Sequence, residues 1–208
     1  MNEILKEIID YATRIDLLEF GGLVFGLLAV WFLIKNNLWT WPSGIIYVFI
    51  SFVVFWKAKL YADFGLHVFY LVLNIYGWYY WVAGAKKTEE SDKLPITQIK
   101  RSWWLWLTIG SAISIVIMGG LLSQTDASVP YWDSTTTVLS VIGMWLTARK
   151  KLENWHFWLI VNILSSGIYI YKEIYFYTAL YLIYIGMAVA GYLSWRKIMI
   201  SEHLKPGE

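Results

Sequence analysis

The chain of 208 residues has no cysteine and few charged side chains. Without cysteine it has no disulfide bond, no catalytic thiolate and no zinc–thiolate site. Charged residues make up 15% of the sequence, whereas a soluble domain carries about 25%. The net charge is only +2, which argues against a nucleic-acid partner. The shortage of charge therefore argues against a soluble protein.

Motifs for catalysis are missing as well. There is no glycine-rich loop followed by Lys-Ser or Lys-Thr to hold a nucleotide phosphate. The three histidines, His67, His156 and His203, are too scattered along the chain to predict a metal-binding cluster. The hydroxyl-rich stretch DSTTTVLS (133–140) has no general base beside it. The sequence therefore predicts a protein that is not an enzyme and that binds neither a metal nor a cofactor.

Hydrophobic residues are what the chain has in abundance: they make up 58% of it, and aromatic residues make up 19%. Apolar runs of about 20 residues, long enough to cross a bilayer as a helix, recur along it. We expect seven transmembrane helices, at residues 17–34, 38–56, 60–84, 103–122, 131–148, 154–171 and 174–195. Residues 1–16 are an amphipathic lead-in rather than a secretory signal, because they lack an apolar core behind a basic start. The predicted fold class is an all-α integral membrane protein.

Lys and Arg residues divide unequally between the two ends of these helices. The N-terminal segment and the loops on its side carry five of them, and the loops on the other side carry twelve. Cytoplasmic loops are enriched in Lys and Arg, so the N-terminus is expected outside and the C-terminus in the cytoplasm. An odd number of crossings agrees with this, because it places the termini on opposite sides. A multi-pass protein of the cell (inner) membrane is therefore predicted.

The sequence resembles itself at an ungapped offset of 114 residues. Both halves close on a Gly-x-x-x-Trp ending, GWYYW (77–81) and GYLSW (191–195). Matching positions include Glu19 with Asp133, Trp31 with Trp145, Lys35 with Arg149, Trp41 with Trp155, Tyr61 with Tyr175 and Tyr70 with Tyr184. Self-similarity at a fixed period is the signature of an internal repeat.

The repeat predicts a 3+1+3 architecture. Its parts are a first three-helix copy (17–84), a cytoplasmic linker (85–102), a connecting helix (103–122), a second three-helix copy (131–197) and a cytoplasmic tail (198–208). Three helices plus one return the chain to its starting side, so both copies run in the same direction. Parallel repeats of this kind are a transporter arrangement, with the solute site near the bilayer midplane at the repeat interface.

Polar side chains inside the predicted spans are candidate site residues, because they are costly in a bilayer. The third helix carries Asp63, His67, Tyr70 and Asn74 at spacings of four, three and four, which place them on one face. This face either lines a solute path or only makes hydrogen bonds between helices. Tyr184, the repeat counterpart of Tyr70, is a candidate binding residue as well.

The sixth helix carries a second pattern, Trp155, Trp158 and Asn162, at spacings of three and four. Two indoles and an amide on one face suit a planar, electron-poor heterocycle, through stacking and cation–π attraction. A packing seam is the alternative, and Trp155 is close enough to the charged run 149–153 to serve in an interfacial aromatic belt. Trp41, the repeat counterpart of Trp155, is included among the candidate binding residues.

Acidic residues lie near the predicted outer ends of three helices, at Glu19, Asp63 and Asp133. In these positions they are expected to attract a cationic solute to the entrance. A coupled pump would need buried acids along a proton path instead. Uncoupled, facilitated diffusion is therefore the predicted mode of transport.

Much of the chain, over residues 17–198, resembles the PnuC family of vitamin transporters. The similar segments include WTWPSGIIYV, LYADFGLHVFYLVLNIYGWYYW and YWDSTTTVLSVIGMWLTARKKLENWHFWLIVNI. The most specific motif is Trp-x-x-Trp-x-x-x-Asn, which Trp155, Trp158 and Asn162 satisfy. The resemblance implies a seven-helix fold similar in plan to SWEET sugar transporters. It also implies uptake of nicotinamide riboside by facilitated diffusion, with a cytoplasmic kinase that traps the product. A homotrimer is the candidate assembly.

The substrate is left open by the resemblance, because similar members of the family carry thiamine or other vitamins. Nicotinamide riboside and thiamine both contain an aromatic cation, which suits the two tryptophans. Where the nicotinamide-riboside members have glutamine, this chain has His67, whose imidazole offers a different hydrogen-bonding geometry. Thiamine is therefore the alternative substrate. A seven-helix receptor or scaffold that transports nothing is the alternative of another class.

Overall fold

Helices make up almost all of the described chain. The computed structural model describes residues 2–57, 61–85 and 94–203, and the side chains of residues 4–57, 64–84 and 94–202. Within these residues there are eight helices: α1 (Asn2–Arg14), α2 (Leu17–Ile34), α3 (Thr40–Lys57), α4 (Tyr61–Ala85), α5 (Arg101–Leu122), α6 (Pro130–Ala148), α7 (Asn154–Tyr171) and α8 (Tyr175–His203). Four of them, α2, α3, α5 and α8, are long and apolar enough to cross a membrane.

The helices lie where the hydropathy pattern predicts them. Helices α2–α8 fall on the seven predicted segments, and α1 falls on the amphipathic lead-in. The last helix is longer than predicted, because α8 continues past residue 195 to His203 and includes part of the expected tail. Tyrosine, tryptophan and small polar residues are frequent in α4, α6 and α7, the three helices outside the most apolar group. The protein is a multi-pass membrane protein, and the number of spans stays a prediction.

Helices α2 and α6 end in the same way, at positions 114 residues apart. The backbone N–H of the C-cap residue, Lys35 or Arg149, bonds back to carbonyl oxygens in the last turn. The next residue, Asn36 or Lys150, has a positive φ, of 51° and 54° respectively. A left-handed residue at this place commonly ends a helix and turns the chain towards the next one. The two halves therefore share the same helix–helix turn.

Four tryptophans beside these turns form a buried row, which we call the tryptophan tetrad: Trp41, Trp81, Trp195 and Trp155. Trp41 meets Trp81 edge to face with the ring centroids 5.2 Å apart, and Trp155 meets Trp195 in the same way at 5.6 Å. Trp81 and Trp195 join the two pairs at 6.0 Å. Each of the four is at most 2% exposed, so the tetrad is the core of the bundle at this end.

The two central members of the tetrad connect the halves of the chain by reciprocal hydrogen bonds. The Trp81 indole N–H on α4 donates to the carbonyl oxygens of Thr147, at 3.3 Å, and Ala148, at 3.1 Å, at the end of α6. The Trp195 N–H on α8 donates to the Leu33 carbonyl oxygen, at 2.7 Å, at the end of α2. The Leu33 and Thr147 carbonyl oxygens also accept backbone hydrogen bonds from Asn36 and Lys150 in the following turns. A carbonyl oxygen has two lone pairs, so each half supplies a second donor to a carbonyl group of the other half.

The two outer members of the tetrad each pack directly on a glycine. A Cβ atom on Gly77 would overlap the Trp41 ring, and one on Gly191 would overlap the Trp155 ring. The glycine lets one indole approach the helix backbone, and the tryptophan four residues later supplies the next ring of the row. This packing is the physical reason for the Gly-x-x-x-Trp ending that the two halves share.

The described part of the predicted linker, residues 94–100, packs on the turn between α6 and α7. Thr97 exchanges two backbone hydrogen bonds with this turn, of 3.2 and 2.9 Å. The Ile96 side chain is fully buried and belongs to the same hydrophobic core as the tetrad. Residues 86–93 of the linker lie outside the described residues. The part that precedes α5 is therefore an ordered strap across the tetrad end of the bundle.

Candidate functional site

Near the middle of the helices, five rings form a group that we call the central cluster: Tyr47, His67, Tyr70, Tyr181 and Tyr184. Tyr47 on α3 and His67 on α4 have ring centroids 5.7 Å apart, and the Tyr47 hydroxyl lies 3.5 Å from His67 Nε2. His67 also meets Tyr70 edge to face at 5.2 Å. Because His67 is 6% exposed, its imidazole is held inside the bundle.

The second half of the chain contributes a matching pair to the central cluster. Tyr181 and Tyr184 on α8 meet edge to face at 5.9 Å, with an interplanar angle of 70° against 72° for the pair on α4. Gly26 on α2 is where the halves converge, since a Cβ there would lie 3.1 Å from the Tyr184 hydroxyl and 3.4 Å from the Tyr47 ring. The cluster is therefore built from both halves around one residue without a side chain.

Three of the binding residues predicted from the sequence, His67, Tyr70 and Tyr184, meet in this cluster. Tyr47 and Tyr181 are not among the predicted residues. A signal for Tyr181 exists, because it stands 114 residues after His67. The sequence contains no comparable signal for Tyr47. The residue 114 positions later is a valine, and Tyr47 does not belong to a series of polar residues at helical spacing.

Asn162 on α7 lies between two contacts that join α7 to α8. At one end Trp155 packs on Gly191. At the other end Tyr169 stacks on Tyr181 at 5.3 Å. Tyr184 of the central cluster lies on α8 between the same two contacts. Asn162 is 8% exposed, and its side-chain amide makes no hydrogen bond to any described residue. A buried amide of this kind needs a polar partner, which a solute or water can supply.

The two tryptophans of the α7 motif occupy different surroundings. Trp158 is half-buried, packs on Gly143 of α6 and donates its indole N–H to Thr147 Oγ1 at 3.1 Å. Trp155 belongs to the tetrad, where protein atoms surround it, and so does Trp41. At 2% and 1% exposure, neither of these indoles has a free face in this conformation. The structure therefore does not bring Trp155 and Trp158 together as two walls of one open cradle.

Asn74, the last residue of the α4 pattern, contacts neighbouring helices. Its amide nitrogen donates to the Tyr70 carbonyl oxygen one turn earlier, at 2.8 Å. The same amide packs on Gly44 of α3, at a place where a Cβ would overlap it. Asn74 is 5% exposed. In this conformation it fills the α3–α4 interface beside the central cluster.

The candidate entrance acids lie at the end of the bundle opposite the tetrad. Glu19 and Asp133 are half-buried and stand in the first turns of α2 and α6. The Glu19 carboxylate accepts a long hydrogen bond, of 3.4 Å, from the Tyr11 hydroxyl on α1. The Asp63 side chain lies outside the described side chains. Two of the three predicted acids are therefore at the same end, one in each half.

The chemistry of the site follows from its residue types. The central cluster and Asn162 include aromatic faces, one imidazole and one amide, and none of these six residues is Lys, Arg, Asp or Glu. Aromatic faces attract a cationic ring, and a few polar groups fix its orientation. Among the described residues no group of three or more His, Asp or Glu side chains is placed to hold a metal ion. The arrangement suits a flat, cationic molecule with a hydrogen-bonding substituent.

Comparison with known proteins identifies the family of this chain. The family model described as nicotinamide mononucleotide transporter matches residues 16–197. The nicotinamide riboside transporter PnuC of Escherichia coli (strain K12) is 28% identical over 201 residues, covering 86% of this chain and 84% of that protein. The riboflavin/roseoflavin transporter RibM of Streptomyces davaonensis is 24% identical over 184 residues, covering 85% and 83%. These relatives are named as transporters and not as enzymes.

The fold is similar to that of a solved structure, the crystal structure of the vitamin B3 transporter PnuC. The TM-score is 0.73 at 21% sequence identity, and the match covers 95% of this chain and 88% of that one. At this identity the likeness concerns the fold. It extends over nearly the whole chain.

Proposed function

Because the chain belongs to the nicotinamide mononucleotide transporter family, that of the PnuC proteins, we propose that this membrane transporter carries nicotinamide riboside. The observation that carries the proposal is the central cluster, in which four tyrosines and His67 from both halves of the chain converge near the middle of the helices. The nicotinamide ring is a flat aromatic cation, which aromatic faces attract. The free amide of Asn162 is available to the carboxamide or to the ribose hydroxyls.

A nucleoside fits this site better than the mononucleotide in the family description. A phosphate group needs cationic donors, and Arg or Lys supplies them most effectively. The central cluster contains neither. Arg149 and Lys150 lie at the tetrad end, where they contact Tyr80 and Trp81 at 4.5 Å from each ring. We therefore assign the nucleoside, whose ribose carries no phosphate, to the central cluster.

We also propose the 3+1+3 plan, with seven spans and two parallel repeats. Two hydrogen bonds at the tetrad end support this plan: Trp81 donates to Thr147, and Trp195 donates to Leu33. The two donors are 114 residues apart, and so are the two acceptors. Two copies that exchange equivalent contacts are expected when an axis along the membrane normal relates them. The central cluster then lies between the repeats near the midplane, and the tetrad closes the cytoplasmic end.

The orientation has a direct test. If the loop charges set it, a reporter fused after Glu208 and one inserted near Glu90 are both cytoplasmic, and one inserted at Ser128 is external. Pairs of alkaline phosphatase and fluorescent protein fusions at each position measure this. A result that places Glu90 and Ser128 on the same side would remove α5 as a span, and the parallel repeats with it.

Transport is proposed to be facilitated diffusion. The central cluster has no acidic side chain, and the acids Glu19 and Asp133 stand at helix ends, where they do not form a proton path. Net uptake then needs removal of the free vitamin inside, which a cytoplasmic kinase achieves by adding a phosphate. The kinase and a homotrimeric assembly are both parts of the proposal.

Uptake into proteoliposomes tests the function. Radiolabelled nicotinamide riboside is expected to reach the external concentration without an imposed gradient and to leave at the same rate when the gradient of vitamin is reversed. Thiamine and riboflavin serve as competitors, since thiamine is the alternative substrate and one relative is named for riboflavin. Concentration of unmodified vitamin well above the external level under a sodium or proton gradient contradicts facilitated diffusion. Binding without uptake indicates a receptor instead.

A further inference from the structure

Three aromatic rings pack together at the end of the bundle opposite the tetrad, and one of them contacts a carboxylate. Tyr11 on α1 lies 4.5 Å from the Phe176 ring and 5.9 Å from the Tyr177 ring, measured between centroids. Phe176 and Tyr177 are themselves edge to face at 5.6 Å. The Tyr11 hydroxyl is 3.4 Å from Glu19 Oε2 and 3.3 Å from the Tyr177 hydroxyl. We call these four residues, from α1, α2 and α8, the outer cage.

No described Lys or Arg neutralises the outer cage. All four side chains are of intermediate exposure. No described Lys or Arg forms an ion pair with Glu19, and its one side-chain donor is the Tyr11 hydroxyl at a long distance. Burial and the neighbouring Tyr177 hydroxyl raise the pKa of Tyr11, so this hydroxyl stays protonated and neutral. Aromatic rings around a carboxylate are the arrangement that recognises organic cations.

A continuous series of rings leads from the outer cage to the central cluster. Tyr177 stacks on Tyr169 of α7 at 5.3 Å, and Tyr169 stacks on Tyr181 at 5.3 Å. Tyr181 then meets Tyr184 at 5.9 Å inside the central cluster. Successive rings along the α7–α8 seam are therefore in contact over the whole distance. The outer cage and the central cluster are therefore joined by one row of aromatic rings.

We propose that the outer cage is a second binding site, an encounter site for the aromatic cation before it reaches the central cluster. The inference rests on the proposed function and deepens it, because it assigns α1 and Glu19 to recognition of the same cationic substrate class. The arriving cation replaces the Tyr11 hydroxyl at the Glu19 carboxylate and stacks on Tyr177. The site raises the local concentration of the cation at the entrance and leaves the affinity of the central cluster unchanged.

Initial uptake rates at low nicotinamide riboside concentration test the encounter site. Vesicles of neutral phosphatidylcholine are used, so that the membrane has no surface potential of its own. Glu19→Gln is expected to lower the rate about tenfold at low ionic strength, because a fixed charge at an entrance raises association rates by about 10-fold to 1,000-fold. Raising the salt from about 10 to 200 mM lowers the parent rate severalfold and the variant rate less, since screening removes the effect of the Glu19 carboxylate and Asp133 remains in both proteins. Calorimetric affinity of the variant stays within about twofold of the parent.

Two further variants separate the cage from the folding of this end. Tyr177→Phe retains the ring and is expected to keep the parent rate, whereas Tyr177→Leu loses most of it. Glu173→Gln removes an exposed carboxylate at the same end, outside the cage, and is expected to match the parent. If Glu19→Gln transports like the parent at low salt, or loses affinity together with rate, the encounter site is wrong while the proposed function stands. If the parent carries none of the cationic vitamins, the proposed function is wrong and the encounter site falls with it.

Discussion

Alanine in place of Gly77 or Gly191 is expected to destabilise the protein by about 3 kcal/mol, at the upper end of the usual cost of overpacking a core. The added methyl group would overlap the Trp41 or Trp155 ring. Neither ring has room to move, because each is held edge to face by the next member of the tetrad. The measurement is the thermal unfolding midpoint in detergent, together with the monodisperse fraction in size-exclusion chromatography. Both variants are expected to lower both values.

Matched controls exist on the same two helices. Gly65 on α4 and Gly186 on α8 have no atom near the position of a Cβ, so alanine there costs no packing. Alanine is favoured over glycine inside a helix by about 0.5–1 kcal/mol, so these variants should be as stable as the parent or slightly more so. Combining Gly77→Ala with Trp41→Phe should restore part of the loss, because the shorter ring makes room. Equal stability of Gly77→Ala and Gly65→Ala would contradict the packing of the tetrad.

Substitutions in the α7 motif are expected to weaken binding of nicotinamide riboside by at least about tenfold. Asn162→Leu leaves a polar group of the ligand without a partner, at a cost of about 1–3 kcal/mol. Trp158→Ala removes an aromatic face from the same helix, and a cation–π contact in a desolvated site is worth about 2 kcal/mol. Since about 1.4 kcal/mol is tenfold in affinity, either change is readily measured by calorimetric titration. Trp158→Phe should recover part of the loss.

Two other tryptophans serve as controls for this experiment. Trp145 stacks on Trp103 between α5 and α6, with centroids 5.6 Å apart and planes 11° from parallel. Trp145→Ala should therefore reduce expression more than affinity. Trp155→Phe should lower the unfolding midpoint with little change in affinity, because Trp155 is enclosed in the tetrad. If Asn162→Leu and Trp158→Ala bind as tightly as the parent, their motif is helix packing and the vitamin binds elsewhere.

The separation of Trp155 from Trp158 marks the limit of reasoning from one helix. A spacing of three residues places two side chains on one face, and that much is determined by the period of 3.6. What the face meets depends on the neighbouring helices. Trp155 meets a glycine of α8, which lets the indole enter the core, whereas Trp158 meets Gly143 and Thr147 of α6. Trp155 and Trp158 therefore share one helical face but lie in different environments.

The sequence by itself determined the positions of the helices, because a run of apolar residues long enough for a bilayer is a local property of the chain. The offset of 114 residues was equally visible in it, and so were the family resemblance and three members of the central cluster. Only the tertiary structure decided that Tyr47 joins them, that Trp41 and Trp155 are enclosed in the tetrad, and that α1 carries a ring of the outer cage. These contacts join residues far apart in the chain, up to 166 positions between Tyr11 and Tyr177. The packing of whole helices decides which distant faces meet. Glycines such as Gly26 determine how closely the rings approach one another, and a local sequence pattern contains no information about that separation.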